Sequence, residues 1–230
     1  MTVGFEAWNE AGTPQVITGA ANIETSVNLA LRQIINANLT PIAPNVAGDV
    51  ARSQVTITYA ANKPIVAFSS SVLVAFKANR LVNGVWEATY IAEGSTTAAV
   101  RFFVFDETAT AQALPPPGQN CGLEVYNGDQ TIRYHSAQPP FAIVKWDNYA
   151  TQTYTAGRSY AVIPAWHGLF SNFIFDGVSA RVELWSSGAR VNGPTVTIGS
   201  FPWATKPGGG SSQTTLGGTG QYSVIDVTGL

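Results

Sequence analysis

The sequence predicts an all-β protein of two similar antiparallel β-sandwich-like modules in tandem. Three observations predict it: apolar runs alternating with polar residues at period two, Asn-Gly or Asp-Gly pairs beside such runs, and a motif that recurs half a chain apart. A length of 230 residues suits one large β domain or two of about 100 residues. Apolar residues make up 45% and aromatic residues 11% of the chain, ample material for a core, which argues against disorder.

From the N-terminus, Gly4-Phe5-Glu6-Ala7-Trp8-Asn9 opens the first module, placed at residues 1–110. Ile23 to Asn36 fits a helix through Val27, Leu31 and Ile34, or a strand through Val27, Leu29 and Leu31. Its asparagines disfavour a helix interior and tip the reading to strand. Val55-Thr56-Ile57-Thr58-Tyr59 alternates cleanly, and Pro64 to Phe76 reads as two short buried strands. The best hairpin is Leu81-Val82-Asn83-Gly84-Val85-Trp86, whose Asn-Gly pair tolerates the positive φ values of a type I′ turn. Further Asn-Gly or Asp-Gly pairs stand at Asn127-Gly128, Asp176-Gly177 and Asn192-Gly193. Val100-Arg101-Phe102-Phe103-Val104 closes the first module.

Residues 111–118 include Pro115-Pro116-Pro117, which cannot enter a central strand and favour a stiff connector. A proline-rich loop within one larger sandwich is the alternative. The second module, 119–205, begins with Gly122-Leu123-Glu124-Val125-Tyr126-Asn127, matching Gly4–Asn9 at an offset of 118, and alternates again at Val178, Ala180, Val182 and Leu184. Residues 206–230 hold a Gly/Ser-rich tether and a terminal strand near Tyr222–Val227, able to close its own sheet or to pair with a neighbour's open edge.

Only 11% of the residues are charged, the net charge is −2, and four lysines are spread along the chain. That leaves no electrostatic footprint for nucleic acid or an anionic membrane. Ser, Thr, Asn and Gln total 63, so hydroxyls and amides must cover most of the surface. A single cysteine, Cys121, excludes an internal disulfide and a Cys-based zinc site. No basic-then-apolar leader is readable at the N-terminus, so synthesis in a cytoplasm is expected. The stretch Pro64–Phe76 is far short of the roughly twenty apolar residues of a membrane span, and no membrane insertion is expected.

Chemistry is hard to find. His135 and His167 lack a partner at metal spacing, and Gly157-Arg158-Ser159-Tyr160-Ala161 departs from a nucleophile elbow at its last position. Asp106, Glu107 and Asp147 are the best candidates for a glycosidase-like carboxylate pair, yet read better as solvated loop acids. No catalytic, cofactor or metal residue is assigned. The remaining active material is aromatic. Trp146, Tyr149, Tyr154, Trp166 and Trp203 fall in or near expected loops and would stack on sugar rings or pack at an interface, whereas Trp8, Trp86 and Trp185 lie on expected strands.

The stretch Gly122-Leu123-Glu124-Val125-Tyr126-Asn127-Gly128-Asp129 resembles the opening of a family of small tail proteins of double-stranded-DNA tailed bacteriophages. Members begin with a Gly-apolar-polar-apolar-aromatic-Asn/Asp strand and a Gly-containing turn, and Gly4–Asn9 has the same look. The resemblance covers about twenty residues in each half. It brings no catalytic residues. It implies a non-enzymatic virion protein, made in the host bacterial cytoplasm and placed at a tail tip, baseplate or fibre attachment point. Its partners would be other phage virion proteins, further copies of itself in a homo-oligomer such as a trimer, and a host-surface glycan or protein. A capsid decoration protein, a carbohydrate-binding receptor module and a polysaccharide-degrading enzyme are the competing readings.

Overall fold

The computed structural model describes residues 6–8, 14–17, 29–43, 50–107, 124–126, 132–135, 141, 143–148, 150–166, 169–175, 180–207, 214–215 and 220–230. Every regular element among them is a strand: β1 (Glu6–Trp8), β2 (Pro14–Ile17), β3 (Leu29–Asn38), β4 (Thr40–Ile42), β5 (Arg52–Tyr59), β6 (Ile65–Ser70), β7 (Val74–Val82), β8 (Val85–Glu93), β9 (Ala99–Glu107), β10 (Glu124–Tyr126), β11 (Ile132–His135), β12 (Ile143–Asn148), β13 (Thr151–Thr153), β14 (Tyr160–Trp166), β15 (Leu169–Phe175), β16 (Ala180–Asn192), β17 (Thr195–Pro207), β18 (Thr214–Thr215) and β19 (Gln221–Asp226). The predicted all-β class holds. One sheet has the order β12-β19-β14-β6-β9-β3. The other runs β13-β17-β16-β7-β8-β5-β4, with β15 beside β16 and β18 beside β15.

The tandem order is corrected. β14 pairs with β6 at Val162↔Phe68 and β16 with β7 at Ala189↔Val74, so both large sheets draw strands from both sides of 111–118. Open strand edges carry unpaired N–H and C=O groups, and strands after the connector pair with edges left by strands before it. The 1–110 and 119–205 segments are interleaved. The connector itself lies outside the described residues, as do Asn127-Gly128 and Asp176-Gly177. The terminal strand, β19, closes the chain's own sheet between β12 and β14. The stretch that fitted helix or strand is, from Leu29 onward, β3.

The chain divides into two compact units, the first of Met1–Ile34, Ala61–Ile65 and Phe103–Phe141. Here the sequence repeat has a structural counterpart. β1 and β2 pair as Glu6↔Ile17, Ala7↔Val16 and Trp8↔Pro14, with a bulge between Ala7 and Trp8. β10 and β11 pair as Glu124↔His135, Val125↔Tyr134 and Tyr126↔Ile132, with a bulge between Val125 and Tyr126. Every paired residue of the first hairpin has its counterpart 118 positions on. The return strands Pro14–Ile17 and Ile132–His135 share no residue, so the repeat extends beyond what the sequence alone reveals. The same unit holds a polar lock. Asp106, fully buried, accepts from the Asn62 and Lys63 backbone N–H groups at 2.9 and 2.8 Å, with Arg32 at 3.9 Å. Beside it Phe105 meets Phe141 edge-on, ring centroids 5.1 Å apart.

The second unit comprises Ile35–Ala60, Val66–Phe102 and Ala142–Leu230. Alternation sends Val55, Ile57 and Tyr59 of β5 into the core and Thr56 and Thr58 out. Tyr90 of β8 lies at the centre, its ring 4.8 Å from Phe102, 5.6 Å from Phe68 and 5.6 Å from Phe76. Burial pushes the Tyr59 hydroxyl up to about 12 and that of Tyr90 further still, Tyr59 and Tyr222 adding to the shift at Tyr90. The Tyr222 hydroxyl donates to the Ser187 carbonyl at 2.7 Å. A smaller apolar cluster of Ala75, Ile91 and Phe201 sits with Leu73 and Trp203 packed against it. Gly188 allows this approach, since a Cβ there would lie 2.6 Å from the Phe201 ring and 3.1 Å from the Val74 carbonyl oxygen.

Two hairpin turns are set by backbone chemistry. Asn83 and Gly84 have φ of 50° and 80°, as a type I′ turn between β7 and β8 requires. At the β16–β17 turn Asn192 still pairs with Thr195, and Gly193 has φ of 56° ahead of Pro194, which fits a II′-type connection centred one residue later than its Asn-Gly pair suggests.

Candidate functional site

The site is the outer face of β5, β8 and β7 in the second unit. Cross-strand register builds it as three rows: Gln54, Ile91 and Ala75; Thr56, Thr89 and Ala78; Thr58, Glu87 and Arg80. The first row is capped by Phe201 and Trp203. The other two stay open. They form most of a shallow depression of about 400 Å³ lined by Gln54, Thr56, Lys77, Asn79, Arg80, Glu87 and Thr89, with Ala78 as its one apolar residue.

Two β-bulges shape its rim. On β7, Phe76 pairs with Tyr90 and Ala78 with Thr89, so Lys77 is the extra, unpaired residue. On β17, Trp185 pairs with Pro202 and Leu184 with Ala204, so Trp203 is the extra residue there. Proline has no N–H to give a ladder and is tolerated at bulges, which accounts for the slip beside Pro202. Bulges re-aim side chains. These two aim theirs at each other: the Lys77 ammonium stands 5.9 Å from the centroid of the Trp203 ring, a cation–π contact. Lys77 Nζ also donates to Gln54 Oε1 at 3.0 Å. From β5, Arg52 Nη1 donates to the Trp203 carbonyl at 2.9 Å, fixing the second bulge.

Within the depression, Arg80 is paired with Glu87 through Nε at 2.6 Å and Nη2 at 2.5 Å. The Asn83-Gly84 turn sets that pair, because register runs unbroken from Val82↔Val85 through Leu81↔Trp86 to Arg80↔Glu87. Thr56 and Thr89 share a hydroxyl–hydroxyl bond of 3.1 Å. No carboxylate of the described residues pairs with Lys77, so the lining holds two cations against one carboxylate.

Four of the five aromatic residues singled out in the sequence, Trp203, Trp146, Trp166 and Tyr154, fall among the described residues. Trp203 is half-buried on β17, not in a loop, and reaches this site through Lys77. Trp146 lies on β12 opposite Ser223, and Trp166 ends β14 opposite Gln221, also strands and not loops. Tryptophan favours strands, and long-range pairing overrode the turn signals around all three. Tyr154 sits between β13 and β14, half-buried, its ring 5.0 Å from that of Tyr160. Tyr149 lies outside the described residues, as does His167. Trp8, Trp86 and Trp185 are on strands β1, β8 and β16.

Two of the acids considered for hydrolysis are engaged elsewhere. Asp106 is the buried lock, and Glu107 accepts from Lys63 Nζ at 2.6 Å and Asn62 Nδ2 at 3.1 Å, which holds its carboxyl below the ordinary range. Asp147 is on β12 opposite Tyr222. Among the described residues, no three His, Cys, Asp or Glu side chains gather as a metal site, and no helix is long and apolar enough to cross a membrane. The sequence missed Lys77, Arg80, Glu87 and Thr89 as a group. Alternation and the hairpin turn signalled the strands of Arg80, Glu87 and Thr89, but a bulge adds Lys77 beside them, and no local pattern announces a bulge.

No family model, no curated protein and no solved structure matches this chain.

Proposed function

We propose that this chain is a non-enzymatic structural protein of a tailed-phage virion, a tail-tip, baseplate or fibre-attachment component that works by non-covalent contact in assembly and host-surface attachment. The twin hairpin carries the reading. The two stretches that resemble the opening of the tail-protein family, Gly4–Asn9 and Gly122–Asp129, contribute the first strands of hairpins with one register and one bulge position. A two-stranded hairpin is marginal alone, so elements of this kind are suited to docking on a larger body.

The surface supports the same reading. Exposed apolar side chains gather at the β7–β8 tip, Leu81 and Val85, and on the edge strand β12, Ile143 and Val144. Cross-strand hydroxyl pairs, Thr151–Thr197 and Thr153–Thr195 besides Thr56–Thr89, satisfy sheet faces without ions. Such a surface can be desolvated against neighbours at little ionic cost. The chain self-associates, as a trimer about the tail axis.

The test is mass spectrometry of gradient-purified particles from cells expressing the genome that encodes the chain, with heads and tails separated. The reading expects the chain in tails. Detection in heads alone would move it to capsid decoration, and absence from particles would end the virion reading. Light scattering of the purified protein is expected to give three times the 24.3 kDa chain mass.

A further inference from the structure

We infer that the depression on the outer face of β5, β8 and β7 binds a carboxylate-bearing saccharide, with Lys77 as the group that recognises the acid. The assignment rests on the contact function proposed above and names the ligand class of this face.

The chemistry of the lining selects the ligand. A pocket for an apolar ligand is walled mainly by hydrophobic side chains. Here the lining is hydroxyl, amide and charge, with Ala78 the exception. A ligand dense in hydroxyl groups matches Thr56, Thr89 and the Arg80–Glu87 pair, which offer donors and acceptors at side-chain reach along two rows of the sheet. At about 400 Å³ the space suits one or two sugar rings.

The acid follows from Lys77. Arg80 already has its carboxylate in Glu87, whereas Lys77 uses one of its three N–H donors on Gln54 and stands 5.9 Å from the centroid of the Trp203 ring. An amide oxygen and an aromatic face bring no counter-charge to an ammonium and leave two donors for a further partner. The excess is a single positive charge, which one carboxylate neutralises. A phosphate dianion prefers clustered backbone N–H groups or a bidentate arginine, and the face of a sheet keeps its N–H groups in the ladder. Two unrelated strands each spend an extra residue, Lys77 and Trp203, to build this corner. Bulges are over-represented next to functional sites for this reason.

The test titrates the purified full-length chain, by NMR or calorimetry, with an oligogalacturonate and with the same oligomer methyl-esterified, then with sialyllactose and lactose. At least one acid is expected to bind with a dissociation constant tenfold or more below that of its neutral counterpart. Lys77→Gln should remove the preference and Lys77→Arg should keep it, both with unchanged melting. Thr89→Val should weaken acid and neutral forms alike. Equal binding of acid and neutral forms, an unaltered preference in Lys77→Gln, or no binding of any of the four sugars overturns the assignment. Particle composition tests the virion reading separately, so the two can fail independently.

Discussion

At the scale of single residues, the few charged groups are spent on fixing loops and corners. Asp106 is the clearest case. Its two oxygens accept two backbone N–H groups from a loop, so the carboxylate replaces strand neighbours for Asn62 and Lys63. Hydrogen bonds to a buried charged acceptor are each worth about 1.5–3 kcal/mol. Asp106→Asn keeps the shape but substitutes a donor for one acceptor, and a loss of about 1–3 kcal/mol is expected by chemical denaturation. An unchanged midpoint would show that the loop is held by other contacts. None of this was legible beforehand. The Asp106-Glu107 pair reads as loop acids because polar residues at the end of an apolar run look solvated, and what buries Asp106 is a loop more than forty positions away.

At the scale of elements, the hairpin chemistry was readable and the bulges were not. Asn83-Gly84 between alternating runs specified both the turn type and the faces of β7 and β8, because positive φ and period-two alternation are local properties. Pairing of β6 with β14 and of β7 with β16 depends on which open edges meet after collapse, so two consecutive modules seemed natural where strands in fact interleave. Phe201-Pro202-Trp203 read as loop because proline interrupts a ladder, yet the bulge absorbs that interruption. The bulge at Lys77 makes a sharp test. Deleting Lys77 joins Phe76 to Ala78 and leaves every other pair between β7 and β8 in register. The deletion variant should therefore fold with stability within about 1 kcal/mol of the parent, a small change on the scale of most substitutions. It should also lose the preference for acidic sugars. Unfolding of this variant would mean that the bulge is a packing requirement and not a device for presenting Lys77.

At the scale of the whole molecule, scarcity of charge makes stability flat across neutral pH and confines its loss to the two extremes. On the acid side, burial raises the Asp226 carboxyl, but hydrogen bonds from the Thr228 hydroxyl and N–H and from Arg158 outweigh this and hold it below its ordinary range. Glu107 is held low by its hydrogen bond from Lys63. Groups depressed in the fold stabilise it above their ordinary values, and that contribution disappears as pH falls through and below the carboxylate range. Both carboxyls are partly covered, but their partners Lys63 and Arg158 stand mostly in solvent, so screening keeps the acid effect small. On the alkaline side Tyr59 is raised from 10.0 to about 12 and Tyr90 further. Their contribution is complete below 10.0 and is lost as pH climbs toward 12. Tyrosinate absorbance and circular dichroism recorded together should show some tyrosines ionising near 10 with the sheets intact, and the rest ionising as the sheets melt. Ionisation of all eight tyrosines near 10 with intact sheets would contradict the packing of Tyr59 and Tyr90.

On the function proposed above, this body acts by touching other molecules at the working end of a particle, and electron cryo-microscopy of intact particles from the encoding genome is the decisive test. Density for this fold is expected at the distal tail, with the twin hairpins against neighbouring proteins and the β5–β8–β7 face turned to solvent. Density for it in the capsid, or particles complete without it, would overturn the tail-tip proposal.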